Sequence, residues 1–210
     1  MTNEPPSESK PSDPIAALDP QARSRALESL FIEKGILSTD AIDEVISAYE
    51  DEIGPLNGAN VVAKAWSDPT YRDRLLESGA DAVAELGYDG LESDLEVIEN
   101  TPTTHNVVVC TLCSCYPWAL LGLPPTWYKS KAYRARTIRE PRAVLSEFGT
   151  DLDSSIDVHV WDSNSDLRYL VLPQQPPGSE ELTEAELVDL VTRNSMIGVE
   201  RLGPTEAGDQ

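Results

Sequence analysis

All three cysteines of this 210-residue chain lie within six positions, in the run Val107-Val108-Val109-Cys110-Thr111-Leu112-Cys113-Ser114-Cys115-Tyr116. Thiols gathered in this way have four uses: a disulfide framework, a structural zinc site, small apolar core residues, or the claw of another metal. A disulfide framework fits poorly, because the count is odd, the spacing is tight, and such frameworks belong to small secreted chains. Structural zinc fits poorly too. It asks for four tetrahedral ligands, usually from two separated C-x-x-C halves, and Cys110-x-x-Cys113-x-Cys115 has no second half. Buried cysteine behaves as a small hydrophobe, but a core use gives no reason to cluster every thiol around Ser114.

The claw gives such a reason. Cys110 and Cys113 can converge across one turn, and Cys115 can reach in from two residues further on. Between them, the peptide nitrogens of Ser114 and Cys115 point at the same centre. If both amides lose their protons, a metal meets three sulfurs and two nitrogens, with one octahedral position open. Removing amide protons takes a strong Lewis acid, which favours a trivalent transition ion over zinc. Soft thiolates with a geometric demand then select iron or cobalt.

A site of this kind needs a rigid base. Residues 95–98 and 106–109 read as strands rich in β-branched side chains, the second delivering the chain to Cys110. Tyr116-Pro117-Trp118 leads out of the loop, and Leu123-Pro124-Pro125 is an extended break. Helices are predicted over 131–139 and 141–147, the latter closed by Gly149. Strands over 156–161 and 168–172 are predicted to pair as a hairpin across Asp162-Ser163-Asn164-Ser165. After a loop over 173–179, Thr183-x-x-Glu186 is a capping box for a last helix with Leu187, Leu190 and Val191 on one face. Residues 197–199 read as a short strand.

Ahead of the strands, residues 1–20 are rich in Pro, Ser and Glu, too polar to order themselves. Ala22, Ala26, Leu27, Leu30 and Phe31 recur at helical spacing over 21–34, with Gly35 as a C-terminal cap. A second helix opens at Ser38-Thr39-Asp40, with Ile42, Val45, Ile46, Tyr49 and Ile53 as its stripe, and ends at Gly54-Pro55. A third runs over 57–66, a fourth opens on Asp68-Pro69, and a fifth covers 80–86 and stops at Gly87. The fold class is therefore α+β. A tail (1–20) leads to an N-terminal helical arm (21–90), a layered metal-binding domain (91–202) and a loose polar end (203–210).

Thirty-seven acidic residues against 16 basic ones give a formal net charge of −21. Phosphate backbones are repelled by such a surface, so no nucleic-acid partner is expected. The polar start, Met1 to Pro6, and the lack of an 18-residue apolar run predict no signal peptide and no membrane-spanning helix. Free thiols then point to the cytoplasm.

The hexapeptide Cys110-Thr111-Leu112-Cys113-Ser114-Cys115 resembles the claw motif of nitrile hydratase alpha subunits. The resemblance runs on through Tyr116-Pro117-Trp118, Leu121-Gly122-Leu123-Pro124-Pro125, Trp127-Tyr128-Lys129, Tyr133-Arg134-Ala135-Arg136 and Arg139-Glu140-Pro141-Arg142. It continues in Trp161-Asp162-Ser163, Arg168-Tyr169, Val171-Leu172-Pro173-Gln174 and Ser195-Met196-Ile197-Gly198-Val199, and reaches back weakly to about Ile36. Thr111 and Tyr116 resemble the cobalt branch; the iron enzymes usually carry Ser and Thr there. The resemblance implies one Co3+ per chain, with Fe3+ as the alternative, held by the sulfurs of Cys110, Cys113 and Cys115 and the nitrogens of Ser114 and Cys115. It implies hydration of nitriles to amides, with Cys113, Ser114 and Cys115 as the catalytic residues. Cys113 is expected as the sulfinic and Cys115 as the sulfenic acid, both reasonable for exposed thiolates on a metal. The attacking group is a water or the Cys115 sulfenate oxygen.

Partners follow from the same resemblance: a beta subunit whose arginines meet the sulfur oxygens and around which the N-terminal arm wraps, in a heterodimer that assembles to a heterotetramer. An activator or metallochaperone is expected during maturation, and the isolated chain is expected to be inactive. Trp118 is expected to wall the substrate channel, or else to pin the loop as a core aromatic. Asp162, Asp166 and Arg168 match a polar cluster around the site, or else form a charged turn. Asp166 is shorter than the Glu usual there, and the stretch 90–94 lacks the Gln often found in the family. Lys129, Lys131, Arg134, Arg136, Arg139 and Arg142 form a basic cluster suited to an acidic subunit interface or a solvated face. His105 and His159 belong to no triad, and His105 reads as a strand-edge residue. Three other assignments compete: the metal subunit of a thiocyanate hydrolase, which shares the claw, a non-catalytic metal carrier, and a structural zinc protein.

Overall fold

The computed structural model describes residues 19–47, 54–88 and 93–204, and the helices before its first strand fall into two groups. α1 (Pro20–Glu33) and nearly all of α2 (Thr39–Ser47) belong to a compact unit of residues 1–46. Gly35 takes the left-handed conformation after α1 (φ 66°) that its place in the sequence predicts. Leu27, Leu30, Phe31, Ile36, Leu37 and Val45 are exposed there. The predicted stripe of the second helix reaches Tyr49 and Ile53, which lie outside the described residues, as do residues 1–18 of the expected tail over 1–20; α1 takes up its last residue, Pro20.

α3 (Leu56–Ser67), α4 (Pro69–Glu77) and α5 (Gly79–Glu85) belong to the second unit, residues 47–210. The sequence places them in an arm ending near residue 90; their packing places them with the strands. Gly58, Ala59, Val61, Val62, Ala63 and Ala65 of α3 are all buried, and a helix apolar nearly all round is a core helix, not a surface one. Val61, Val62, Tyr71, Leu75 and Val83 share one core with Leu95, Val97, Val107, Val109, Leu170 and Leu172. At the head of α4 the Asp68 carboxylate accepts from the Thr70 and Tyr71 N–H groups at 3.0 and 3.1 Å, the cap that Asp68-Pro69 predicts.

The strands form two separate parallel pairs. β1 (Asp94–Glu99) and β2 (Thr104–Val109) follow each other in the chain, yet each pairs with a later strand. Between β2 and its partner lie the cysteine loop and four short helices: α6 (Trp118–Leu121), α7 (Thr126–Lys129), α8 (Lys131–Arg139) and α9 (Pro141–Glu147). β3 (Asp157–Asp162) then pairs with β2, and β4 (Leu167–Leu172) with β1. Such crossovers are what parallel pairing demands.

The predicted hairpin of the last two strands is therefore wrong, though both strands exist. Leu170, Val171 and Leu172 are fully buried, the continuous apolar run of a strand covered on both faces. β3 instead alternates exposed and half-buried positions, as an edge does. Between them the Ser163 N–H extends the β2–β3 ladder by donating to Val109 O at 2.7 Å. Asn164 Oδ1 then accepts from the N–H groups of Asp166 (2.9 Å) and Leu167 (3.1 Å), turning the chain into the other ladder.

The capping box of Thr183 and Glu186 forms as predicted, opening α10 (Glu184–Val188). That helix stops short of Leu190 and Val191. A second box, Thr192 with Ser195, opens α11 (Arg193–Ile197), so residues 197–199 are a helix end and not the predicted strand. A short apolar run cannot tell strand from buried helix by period alone. α11 ends on Gly198 (φ 85°), where an added Cβ would meet Asn106 O at 1.9 Å. Among the described residues no helix is long and apolar enough to cross a membrane.

Candidate metal centre

The cysteine loop leaves the carboxyl end of β2, where parallel strands commonly present their ligands. Its three Sγ atoms lie within 4.8 Å of one another. Cys110 and Cys113 sulfurs are 3.5 Å apart, and those of Cys113 and Cys115 are 3.1 Å apart. With metal–sulfur bonds of about 2.3 Å, adjacent ligands sit roughly 3.3 Å apart in an octahedron and roughly 3.8 Å apart in a tetrahedron. The two separations that Cys113 makes, 3.5 and 3.1 Å, lie on either side of the octahedral value. Among the described residues no His, Asp or Glu joins this cluster, so tetrahedral zinc has no fourth side-chain ligand here. The Cys113 N–H donates to Cys110 Sγ at 3.2 Å, and the Ser114 and Cys115 amides are among the groups that lower the proton affinity of the Cys113 sulfur. Cys110 is buried, Cys115 half-buried and Cys113 exposed, which leaves one side of the cluster reachable.

Without a metal the thiols share their protons unevenly. Cys113 is drawn down to about 7, chiefly by a hydrogen bond from the Cys115 thiol and further by the surrounding amides. Cys115 is pushed up to about 12, first by burial and then by its neighbour Cys113. Of these two the exposed sulfur, Cys113, is the nearer to a thiolate at neutral pH, and thiolate is the form that binds metal and meets oxidant.

Side chains from elsewhere hold the loop. Strand register sets the first: Val109 faces Asp162 across the β2–β3 ladder, and the Asp162 carboxylate accepts from Thr111 N–H at 2.8 Å and Thr111 Oγ1 at 2.6 Å. Three tyrosines set the next contacts. Tyr133 donates to Val108 O at 2.7 Å, Tyr128 to Cys115 O at 2.8 Å, and Tyr116 to Leu121 O at 3.2 Å. Their rings stack in sequence, Tyr116 to Tyr128 at 5.3 Å and Tyr128 to Tyr133 at 5.7 Å, and Trp127 and Phe148 close over Tyr133. Burial pushes all three phenols up, keeping them protonated donors. Arg134 donates from Nη1 to Cys113 O.

Of the expected outer residues, Asp162 reaches the loop. Asp166 is exposed: its carboxylate meets its neighbour Ser165 at 3.4 Å, and its peptide oxygen accepts from Asp94. Arg168 and Trp118 line one small cleft with Asp94 and Pro117. The stretch 89–92 lies outside the described residues. His159 is exposed, while His105 is buried in a network away from the loop. The basic cluster is partly consumed inside the chain. Arg136 pairs with Glu140 and Glu147, Arg142 donates to the Leu152, Asp153 and Ile156 carbonyls, and Arg134 turns to the loop. The sequence brings in Tyr128 and Tyr133 only through a resemblance, and places Arg134 in a basic cluster for a subunit interface or a solvated face. No spacing in the chain marks them: the two tyrosines flank the Ser130 cap of α8, and only packing carries them to the loop.

A family model, "Nitrile hydratase, alpha chain", matches residues 18–200. The low-molecular weight cobalt-containing nitrile hydratase subunit alpha of Rhodococcus rhodochrous is 55% identical over 179 residues, 85% of this chain and 86% of that protein. Thiocyanate hydrolase subunit gamma of Thiobacillus thioparus is 44% identical over 186 residues, 83% of this chain and 76% of that protein. Among solved structures, a double mutant of the Fe-type nitrile hydratase from Comamonas testosteroni Ni1 matches with a TM-score of 0.82 at 40% identity, covering 90% of this chain and 95% of that one. A chain so matched along most of its length, with its only thiols drawn into one claw, belongs to the nitrile hydratase alpha-chain family.

Proposed function

We propose that this chain is the metal-bearing alpha subunit of a cobalt nitrile hydratase and adds water to nitriles to give amides. One observation carries the reading: three sulfurs within 4.8 Å on a partly open loop, in a chain 55% identical to a cobalt-containing alpha subunit. Thr111 and Tyr116 support cobalt over iron. Cys110, Cys113 and Cys115 would hold the ion by sulfur, and Ser114 and Cys115 by peptide nitrogen. Bound there, a trivalent ion supplies the Lewis acidity that makes a nitrile carbon electrophilic.

The chain's own residues do the rest. Cys110 is the buried anchor. Cys113 and Cys115 lie toward the open side, where dioxygen as oxidant would convert them to the sulfinic and sulfenic acids; the attacking group would be a water held beside Cys115, or the Cys115 oxygen itself, then replaced from water. Asp162 fixes the mouth of the loop through Thr111. Trp118 and Arg168 border the approach, and Asp166 stays at its edge.

A beta subunit completes the site, in a heterodimer and then a heterotetramer, after loading by an activator or metallochaperone. Leu112, on the metal loop, is 82% exposed, and α1, α2 and the turn between them carry the six apolar side chains named above at their surface; both features support a covering partner. Three unpaired thiols suit the reducing cytoplasm.

The 44% identity to thiocyanate hydrolase subunit gamma supports a second reading, the metal subunit of such an enzyme. Co-expression with the partner subunit in cobalt medium separates the two. The expected result is one cobalt per chain, two oxygens added to Cys113 and one to Cys115 by mass spectrometry, and amide formed from a nitrile. Thiocyanate turnover without nitrile turnover selects the second reading. Zinc on unoxidised thiols sinks both.

A further inference from the structure

We propose that Arg134 is a positioning residue of the metal loop. Its guanidinium, bonded to the Cys113 peptide oxygen, holds the Cys113–Ser114 peptide with the Ser114 nitrogen toward the thiols and offsets the negative charge gathered there. The inference rests on the metal-claw reading above. A peptide unit is planar, so a donor that fixes its oxygen also fixes its nitrogen. The Cys113 oxygen belongs to the same peptide unit as the Ser114 nitrogen, and Arg134 Nη1 donates to it. Were a trivalent ion held here, that nitrogen would give its proton to solvent water and offer the freed electron pair as a ligand. Resonance places part of the resulting charge on the Cys113 oxygen, the atom Arg134 touches.

The arginine is well held for this task. Ser130 Oγ caps α8 by accepting from Tyr133 N–H at 3.1 Å, and Thr137 Oγ1 donates to Tyr133 O at 2.7 Å. Tyr133 is 6% exposed and pins the helix to β2 through Val108 O. One helix therefore grips both the strand that delivers the loop and, one residue on, the loop itself. Arg134 Nε is buried with no hydrogen-bond partner among the described residues, so the side chain is kept in place where stability alone would not put it. A guanidinium stays charged at any working pH, and its rigid fork aims its donors.

The test uses the full chain, co-expressed with its partner subunit in cobalt medium, as wild type, Arg134→Lys and Arg134→Met. Two quantities are read: cobalt left after dialysis against a chelator, and the visible absorption of the metal–sulfur centre. We expect the methionine variant to hold cobalt about 10–100-fold more weakly with a shifted absorption band, and the lysine variant to recover most of both. Unchanged retention and absorption in the methionine variant overturn the inference, and so does a lysine variant as weak as the methionine one. Should methionine prevent assembly, Arg134→Gln replaces it: cobalt kept by lysine and lost by glutamine supports the role, and equal behaviour overturns it. A wild-type complex without cobalt defeats the underlying reading instead, which keeps the two failures apart.

Discussion

β2 carries a polar cluster at each end, and the two are built on opposite rules. At the amino end, the His105 ring donates from Nε2 to Gly198 O at 2.8 Å, because a carbonyl only accepts. That leaves Nδ1 to accept from Asn100 Nδ2 at 3.5 Å. Asn106 donates from Nδ2 to Glu99 O (2.7 Å) and from its N–H to Asn100 Oδ1 (2.7 Å), and accepts from Trp161 Nε1 at 2.8 Å. This network is buried, closed, and ties both strand pairs together. At the carboxyl end the polar atoms are sulfurs that meet one another and nearby amides, and Cys113 stays exposed. A satisfied cluster fixes the fold; one that keeps acceptor capacity and a free face is available for chemistry.

Substitutions at the two ends should therefore fail in opposite ways. Cys115→Ala has the largest expected effect. Loss of a ligand should exceed the roughly 100-fold upper range seen for outer contacts, removing cobalt and nitrile turnover from the co-expressed complex. Metal-free stability should change by no more than about 1 kcal/mol, as chemical denaturation of the metal-free chain would report. Retained cobalt would break the contrast. Asn106→Ala is the mirror case. It strips the partners from Trp161 Nε1 and Glu99 O, at a cost of about 2–4 kcal/mol, yet the protein that does fold should carry its full complement of cobalt.

The carboxyl end was far more legible in the sequence than the amino end. Three cysteines in six residues announce themselves at any level of reading, and so does the capping box of Thr183 and Glu186. Which strands pair does not. The residues between Asp162 and Leu167 have hairpin length, but the choice of partner rests on which strand needs cover on both faces, and Leu170 to Leu172 needs it. The role of α3 was hidden for the same reason: its small residues give a faint stripe, and burial all round is a property of the assembled core. Arg134, Tyr128 and Tyr133 reach the loop only through tertiary packing, so no spacing in the chain could assign them. Asp162 was legible through a resemblance; its physical cause is the β2–β3 register, which sets it opposite Val109.

That register can be tested at the boundary between the two regimes. Asp162→Ala removes both acceptors of Thr111 at an exposed position, where water replaces them cheaply. Stability should fall by only about 0.5–1.5 kcal/mol, while cobalt retention against a chelator should drop about 10-fold. A fall in stability with unchanged retention would move Asp162 from the metal end of the comparison to the structural one.

The smallest effect belongs to His105. Burial lowers its proton affinity below the usual 6.5, the Gly198 carbonyl opposes that, and nearby Arg201 adds to it. The folded chain keeps the ring neutral where the unfolded chain protonates it. Above pH 6.5 both states are neutral and His105 contributes no pH dependence. As pH falls below 6.5, only the unfolded state gains the proton, so stability drops until the lowered folded value is reached and then levels off. One proton limits the slope to about 1.4 kcal/mol per pH unit. Denaturation of the metal-free chain over that window, compared with His105→Gln, isolates the effect: the slope should flatten in the variant. An unaltered slope would mean that the amino-end network accommodates a charged ring, and the closed cluster would be more open than its hydrogen bonds imply.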